Sequence, residues 1–202
     1  YMAETRGREA TGICYIRNNT YIIEKQPIAS SVFIKNVLPK HIEDIEEAKI
    51  AIGHTRYPTQ GSPKDNNNNH PVDSENWILI HNGNVTAMPR LDHYKYKGEV
   101  DSEILVSSIE QYGVKEGLPY VERGSAAVAL IDKRDLNSIY LWREASPIVI
   151  AYDSQSNTLF FASDQGFLER GLANRFLLFT SFQIRELPAN LLIKITINRS
   201  VC

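Results

Sequence analysis

The sequence predicts one α+β domain with many strands and few helices, and three observations predict this class. Short apolar runs recur along the 202 residues, polar turn clusters separate several of them, and a single long segment has helical spacing. The chain shows no internal repeat and no long linker, so we expect a single domain over residues 1–202.

The predicted strands follow the apolar runs. Residues 12–17 and 21–24 flank Asn18-Asn19-Thr20, a sequence typical of a hairpin turn. Turn clusters at residues 132–137 and 153–157 mark where other strands end. The remaining strands are predicted at residues 49–54, 77–81, 124–131, 138–142, 147–152, 158–162 and 191–196.

The strongest helix prediction covers residues 101–112. Apolar residues recur there at helical spacing, and Gly113 follows at a position that suits a helix C-cap. Shorter helical segments are predicted at residues 41–49, 117–123 and 166–171. The four asparagines at residues 66–69 indicate a loop.

Charge and composition exclude several classes of function. The net charge of −2 lacks the basic surplus that a nucleic acid or a membrane surface requires, and no apolar run is long enough to span a bilayer. Two cysteines, Cys14 and Cys202, cannot form a disulfide framework or a four-ligand zinc site, which favours the cytoplasm. Neither a metal nor a cofactor is expected, because metal-ligand spacing and nucleotide-binding glycine motifs are missing from the sequence.

Residues 53–61 place an arginine where an apolar strand enters a loop. The planar guanidinium of Arg56 can hold a carboxylate with two hydrogen bonds, and Thr59 adds a neutral hydroxyl nearby. On the local pattern alone, a surface turn with a solvated arginine is an equal alternative.

Two other segments carry similar ambiguity. The Asn82 amide and the Gly83 N–H are the kind of donors that form an oxyanion hole, yet Asn-Gly after a strand is also a common hairpin turn, and the isolated dipeptide favours the turn. Asp101 opens the long helix, where a carboxylate serves as an N-cap or receives a ligand ammonium. Residues 6–13 are rich in charged residues and glycine, but by themselves they do not indicate a function.

Taken in order, these segments resemble the glutaminase domain of class II glutamine amidotransferases. The amino-acid sequences of residues 56–59 and 81–86 are most similar to the amidophosphoribosyltransferase branch. The general spacing of the motifs also resembles that of glucosamine-6-phosphate synthase. The resemblance rests on Arg6-Gly7-x-x-Ala10-x-Gly12-Ile13, Gly53-His54-Thr55-Arg56-Tyr57-Pro58-Thr59-x-Gly61, His81-Asn82-Gly83-Asn84-Val85-Thr86, Asp101-Ser102-Glu103-Ile104, Gly124-Ser125-Ala126-Ala127-Val128-Ala129 and Phe161-Ala162-Ser163-Asp164.

The resemblance implies a fold, a reaction and roles for individual residues. The implied fold is the αββα sandwich of N-terminal-nucleophile (Ntn) hydrolases, with two antiparallel sheets between helical layers. The implied reaction converts glutamine to glutamate and ammonia, and a synthase domain or subunit receives the ammonia. Arg56 would bind the α-carboxylate of glutamine with Thr59 beside it, and Asp101 would bind the α-ammonium group. Asn82 and Gly83 would stabilise the oxyanion, and the supporting residues would be Arg6 and Tyr57.

The nucleophile of that family is an N-terminal cysteine, whereas this chain begins with Tyr1. Cys14 lies within a predicted strand and fits a core position, and Cys202 lies at the opposite end of the chain. We therefore expect that the natural N-terminal segment, with the nucleophile, is lacking from this chain.

Two other functions remain open at this stage. One is a catalytically inactive glutamine-binding regulatory module of the same fold, and the other is a hydrolase of a different amide. The expected partners are L-glutamine and an ammonia-accepting synthase domain or subunit, without nucleic acid or membrane, and a homo-oligomer is left open.

Overall fold

Two layers of antiparallel strands form the centre of the protein, and helices cover both outer sides. The computed structural model describes residues 2–57, 59–85, 90–118, 124–173 and 183–197. The strands are β1 (Ala10–Arg17), β2 (Thr20–Gln26), β3 (Ile50–Arg56), β4 (Val72–Asp73), β5 (Trp77–Val85), β6 (Gly124–Asp132), β7 (Ser138–Arg143), β8 (Val149–Asp153), β9 (Thr158–Ala162), β10 (Arg185–Glu186) and β11 (Ile193–Thr196). The α-helices are α1 (Ser30–Asn36), α2 (Ile42–Glu46), α3 (Asp101–Gly117) and α4 (Gln165–Ala173), and short 3₁₀ helices cover Met2–Arg6, Leu38–Lys40 and Asn66–Asn68.

One strand layer is a five-stranded sheet, and the other consists of two three-stranded sheets. The large sheet has the order β11-β7-β6-β5-β4, and the smaller sheets have the orders β2-β1-β3 and β10-β8-β9. Every strand pair among the described residues is antiparallel. An apolar core between the layers joins Ile16 and Ile52 of one layer to Ile78 and Leu141 of the other.

The helices pack on the faces that the two strand layers turn outward. Helix α3 buries Leu105 and Ile109 against Leu79 of β5 and its neighbours on the large sheet. Helix α4 buries Leu168 and Leu172 against β8, and α1 and α2 lie beside β1. The order of layers is therefore helix, sheet, sheet, helix, because each sheet has an apolar residue set on both faces.

The alternation of side chains along β1 shows how the sequence produces this layering. Cys14 and Ile16 point into the core between the sheets, whereas Tyr15 points outward and lies 3.0 Å from a ring nitrogen of His41, beside Asp44 of α2. Successive side chains of a strand face opposite sides, so one apolar run supplies both the inner core and the contact with a helix.

Several predictions about local structure are confirmed. Asn18 and Asn19 both have positive φ, as a two-residue hairpin turn between β1 and β2 requires. Gly113, predicted as the C-cap of this helix, has φ 81° and only interrupts α3, which continues to Gly117 and has its C-cap at Leu118. The predicted helix at 117–123 lies mostly outside the described residues, and α1 was not predicted because seven residues are too few for a clear periodicity.

None of the helices described in the structure combines the length and apolar character needed to cross a membrane.

Candidate active site

A cavity of about 590 Å³ opens where β3, β5 and the start of α3 meet. All of the residues that the sequence pointed to line it, although they come from distant parts of the chain. Their meeting in one cavity allows one ligand to contact all of them. They are Arg6, Arg56, Tyr57, Thr59, Asn82, Gly83 and Asp101.

Arg56 ends β3 and is 4% exposed, so the solvated surface arginine considered from the sequence is wrong. Its Nη1 donates to Asn69 Oδ1 at 3.2 Å, and its Nη2 donates to the carbonyl oxygens of Gln60 and Gly61. A guanidinium has five donors, and the bonds found among the described residues use three of them, so two stay available for a ligand. Burial lowers the pKa of Arg56, and the negative charges of Asp101 and Glu9 oppose that shift.

The segment before β1 packs directly on Arg56. A Cβ on Gly7 would lie 2.2 Å from the Arg56 carbonyl carbon, so only glycine allows this backbone approach. Arg6 precedes it, pairs with Asp164 at 3.2 Å and lies over the Phe167 ring. The Arg6-Gly7 pair thus joins β3 to the start of α4.

The asparagine run fixes the loop opposite Arg56. Asn69 is fully buried and donates to the carbonyl oxygen of Pro63 at 2.7 Å, while its Oδ1 accepts from Arg56. Lys25 Nζ donates to the carbonyl oxygens of Asn69 and Pro71, at 2.9 Å each. The sequence indicated only a loop here, whereas these amides hold the loop in a fixed relation to the guanidinium.

Asp101 is the first residue of α3 and is 6% exposed. The helix N-cap is Val100, which has no side-chain capping bond, so the interpretation of Asp101 as an N-cap is wrong. The carboxylate Oδ2 instead accepts a 2.8 Å hydrogen bond from the Val85 N–H at the end of β5. Asp101 therefore ties the helix to the strand that carries Asn82 and Gly83.

Asn82 and Gly83 lie inside β5 and pair with Ala127 and Ala126 of β6. The hairpin turn favoured by the isolated dipeptide is therefore wrong. Gly83 has φ 131°, and a Cβ there would lie 1.6 Å from the Ser125 carbonyl oxygen. The strand reaches this geometry only with glycine, which brings its backbone and the Asn82 side chain to the cavity wall.

Replacing Gly83 by alanine is expected to lower the free energy of unfolding by about 2 kcal/mol, because the backbone conformation is strained for any L side chain. Urea unfolding at neutral pH measures this. Gly171→Ala in α4 is the matched control, since a Cβ there meets nothing within 4 Å and alanine favours helix by about 0.5–1 kcal/mol. Equal stability of the two variants would contradict the steric explanation.

Three histidines line the floor of the cavity. The rings of His54 and His70 are 4.1 Å apart, and those of His70 and His81 are 6.5 Å apart. Burial lowers the pKa of His54 to about 4 and that of His70 well below the ordinary value. It also lowers the pKa of His81, although the Asp101 carboxylate opposes this shift. The imidazoles are therefore neutral at neutral pH.

Within the described residues, no group of three or more His, Cys, Asp or Glu side chains is arranged to hold a metal ion. Cys14 is fully buried in the core, as predicted, and burial raises the pKa of its thiol to about 12. It does not line the cavity, so it cannot act there as a thiolate nucleophile. Tyr1 and Cys202 lie outside the described residues.

The sequence interpretation missed part of the cavity wall. His70 and Ser102 line the cavity and are buried, but the sequence interpretation assigned them no role. Asn69, which was treated as loop, is buried behind the wall and holds Arg56. Tyr57 is 69% exposed and Thr59 is exposed, so both lie at the mouth of the cavity.

Comparisons with known proteins identify the family of the chain. Residues 6–134 match the family model of class-II glutamine amidotransferases. The chain is similar to glutamine–fructose-6-phosphate aminotransferase (isomerizing) of Streptococcus agalactiae serotype III (strain NEM316), with 30% identity over 169 residues. It is also similar to the Shouchella clausii (strain KSM-K16) protein of that name, with 32% identity over 178 residues. The alignments cover 76% and 80% of this chain but 27% and 28% of the relatives.

Two solved structures share the fold of this chain. Glutamine phosphoribosylpyrophosphate amidotransferase from B. subtilis, complexed with ADP and GMP, superposes with a TM-score of 0.64 at 19% identity. A structure described as the allosteric regulatory enzyme of purine biosynthesis superposes with a TM-score of 0.71, also at 19% identity. Each match covers 96% of this chain and 42% of the other. These likenesses confirm the predicted fold class.

Proposed function

Because the chain belongs to the class-II glutamine amidotransferase family, we propose that it is the glutaminase domain that releases ammonia from L-glutamine. The observation that carries this proposal is the meeting of Arg56, Asp101, Asn82 and Gly83 in one cavity. A cation, an anion and two amide donors are the groups that a zwitterionic amino acid with a reacting side-chain amide requires.

The two buried charges select a free α-amino acid. Arg56 binds the α-carboxylate with the Thr59 hydroxyl beside it, and Asp101 binds the α-ammonium group. Each charge is held by the protein in advance, Arg56 by Asn69 and Asp101 by the Val85 N–H. A ligand that lacks either charge leaves a buried partner unsatisfied, which costs about 1–3 kcal/mol. The alternative of a different amide substrate is disfavoured for this reason. Arg6 and Tyr57 support the site from the rim.

Asn82 and Gly83 act on the side-chain amide at the other end of the ligand. A thiol attacks the amide carbon, and the carbonyl oxygen becomes an oxyanion that accepts hydrogen bonds from the Asn82 amide and the Gly83 N–H. The C–N bond then breaks, the nitrogen leaves as ammonia after gaining a proton, and a thioester remains. Water hydrolyses the thioester to glutamate and restores the thiol.

The thiol is proposed to come from a segment that precedes residue 1. Among the described strands, β3 pairs only with β1 and β9 only with β8, and both border the cavity. Free strand edges offer backbone groups to another strand. A cavity of about 590 Å³ exceeds what an amino acid of ten heavy atoms needs, so it leaves room for a further side chain such as a cysteine beside the ligand.

The ammonia acceptor belongs to the rest of the protein or to a partner. The chain spans about a quarter of the length of its curated relatives, whose name includes fructose 6-phosphate, whereas one structural relative is named for phosphoribosylpyrophosphate. The proposal therefore stops at delivery of ammonia to a synthase domain or subunit. A cytoplasmic location and a homo-oligomer stay predictions.

Intact mass of the full-length natural protein tests the proposal. An electrophilic analogue of glutamine, such as its diazoketone, should add once, at a cysteine at the processed N-terminus, and glutamate should form from glutamine. Binding of glutamine without an adduct or hydrolysis would overturn the enzymatic function and favour the inactive binding module. Failure to bind glutamine at all would overturn both.

Replacing Arg56 by lysine is expected to raise the KM for glutamine about tenfold, because lysine keeps the charge but loses the planar fork. Steady-state kinetics with glutamine and with 4-aminobutanamide, which lacks the α-carboxylate, measures this. The variant should match the unmodified protein on 4-aminobutanamide. Arg134→Lys, on an exposed arginine that pairs with Asp132, is the control. An equal rise in KM for both substrates would contradict carboxylate binding by Arg56.

A further inference from the structure

The hydroxyl of Ser102 joins two of the three histidines beneath the cavity. Ser102 is 1% exposed, and its Oγ lies 2.8 Å from His70 Nε2 and 3.1 Å from His81 Nδ1. The same oxygen is 3.5 Å from Asp101 Oδ1, a much weaker contact. A hydroxyl has one donor and two acceptor sites, so it can satisfy both imidazole nitrogens at once.

The third histidine completes the network through the backbone. His54 Nε2 lies 3.0 Å from the carbonyl oxygen of His81. Because a carbonyl oxygen only accepts, Nε2 of His54 carries the proton. Its Nδ1 is then unprotonated, and this buried atom has no hydrogen-bond partner among the described residues. The carbonyl that His54 holds belongs to the peptide group that also contains the Asn82 nitrogen. His54 and His81 therefore fix the strand immediately before the oxyanion donors.

Three members of this network are chain neighbours of residues that would contact glutamine or that hold Arg56. His81 precedes Asn82, Ser102 follows Asp101, and His70 follows Asn69, which accepts from Arg56. These residues belong to β5, α3 and the loop before β4. The Ser102 hydroxyl, on α3, contacts a histidine of each of the other two elements. The buried hydroxyl is therefore placed to keep three parts of the site in a fixed relation.

We propose that Ser102 is a positioning residue for glutamine hydrolysis, which holds the Asn82–Gly83 segment in place through His81. This inference rests on the proposed function. Asp101 keeps its own 2.8 Å bond from the Val85 N–H, so the ammonium site does not depend on Ser102. Loss of the hydroxyl should therefore affect the chemical step more than the binding of glutamine.

The test compares two serine variants on the same helix. Ser102→Ala should lower kcat at least tenfold with the KM for glutamine within threefold, measured on the full-length protein. Ser107→Ala should have little effect, because Ser107 is equally buried but donates to the carbonyl oxygen of Ile104 and does not line the cavity. Rates are expressed per site labelled by the diazoketone, so that a smaller folded fraction is not mistaken for a slower reaction.

Rescue and spectroscopy separate positioning from simple structural support. Ser102→Thr, which retains the hydroxyl, should recover most of the lost kcat. In ¹⁵N spectra of the ring nitrogens, Ser102→Ala should shift the His70 and His81 signals, whereas Ser107→Ala should not. An unchanged kcat per labelled site, or unchanged ring signals, would overturn the role of Ser102. If the unmodified protein fails to hydrolyse glutamine, the proposed function is wrong, and the ring signals still test the network.

Discussion

Replacing Asn82 by alanine is expected to lower kcat for glutamine hydrolysis by about 100- to 1,000-fold, with the KM nearly unchanged. The amide of Asn82 would donate to an oxygen that becomes negative only in the transition state, so its loss affects the rate more than the binding. This is the largest effect that we expect from a single side chain in the cavity. Glutamate formation by the full-length protein, measured over a range of glutamine concentrations, gives both parameters.

Asn84→Ala is the matched control for this variant. Asn84 lies two residues further along β5, is exposed and does not line the cavity. It should retain the unmodified rate, and urea unfolding should show similar stability for both variants. A raised KM with an unchanged kcat in Asn82→Ala would place Asn82 in substrate binding and contradict the oxyanion role.

Acidification is expected to destabilise the protein below about pH 6.5, through the three histidines at the floor of the cavity. The pKa of His54 is about 4 in the folded protein and about 6.5 when unfolded, so the unfolded state binds more protons between these values. Stability therefore falls as the pH falls, and His54 alone accounts for roughly 2 kcal/mol at pH 5 and roughly 3 kcal/mol below pH 4. His70 and His81 act in the same direction, because burial lowers both pKa values.

Urea unfolding at several pH values from 7 to 4.5 measures this dependence. His54→Gln should make it less steep by the share that His54 contributes, since glutamine does not titrate and its amide can donate to the same His81 carbonyl. His93→Gln, on an exposed histidine, should leave the dependence as in the unmodified protein. Stability that stays constant down to pH 5 would contradict the lowered pKa values of these imidazoles.

The sequence predicted much of the sheet pattern because apolar runs and turn residues are local signals. It also predicted seven of the residues that line the cavity, because the resemblance supplied their order along the chain. The local interpretation of Asn82-Gly83 failed for a physical reason. A dipeptide carries no information about the Ser125 carbonyl, which lies against Gly83 only after β5 and β6 have paired.

The same reason explains why the histidine network was not predicted. Ser102 contacts His70, 32 residues earlier, and His81, 21 residues earlier, so no spacing within one helix or strand reveals the contact. Asn69 is similar, since four asparagines in succession indicate a loop and say nothing of a distant guanidinium. Side chains that meet through tertiary structure alone have no signature in a single sequence.

The bonds from Arg56 to the carbonyl oxygens of Gln60 and Gly61 have a consequence for binding thermodynamics. They join the side chain that would bind the α-carboxylate to the loop that carries Thr59. The conformational entropy that this loop loses on becoming ordered is therefore lost when the protein folds. It is not lost again when glutamine binds. Preorganisation of this kind leaves more of the contact energy for affinity. Calorimetry of glutamine binding should accordingly show a smaller unfavourable entropy than a loop that orders on binding would give.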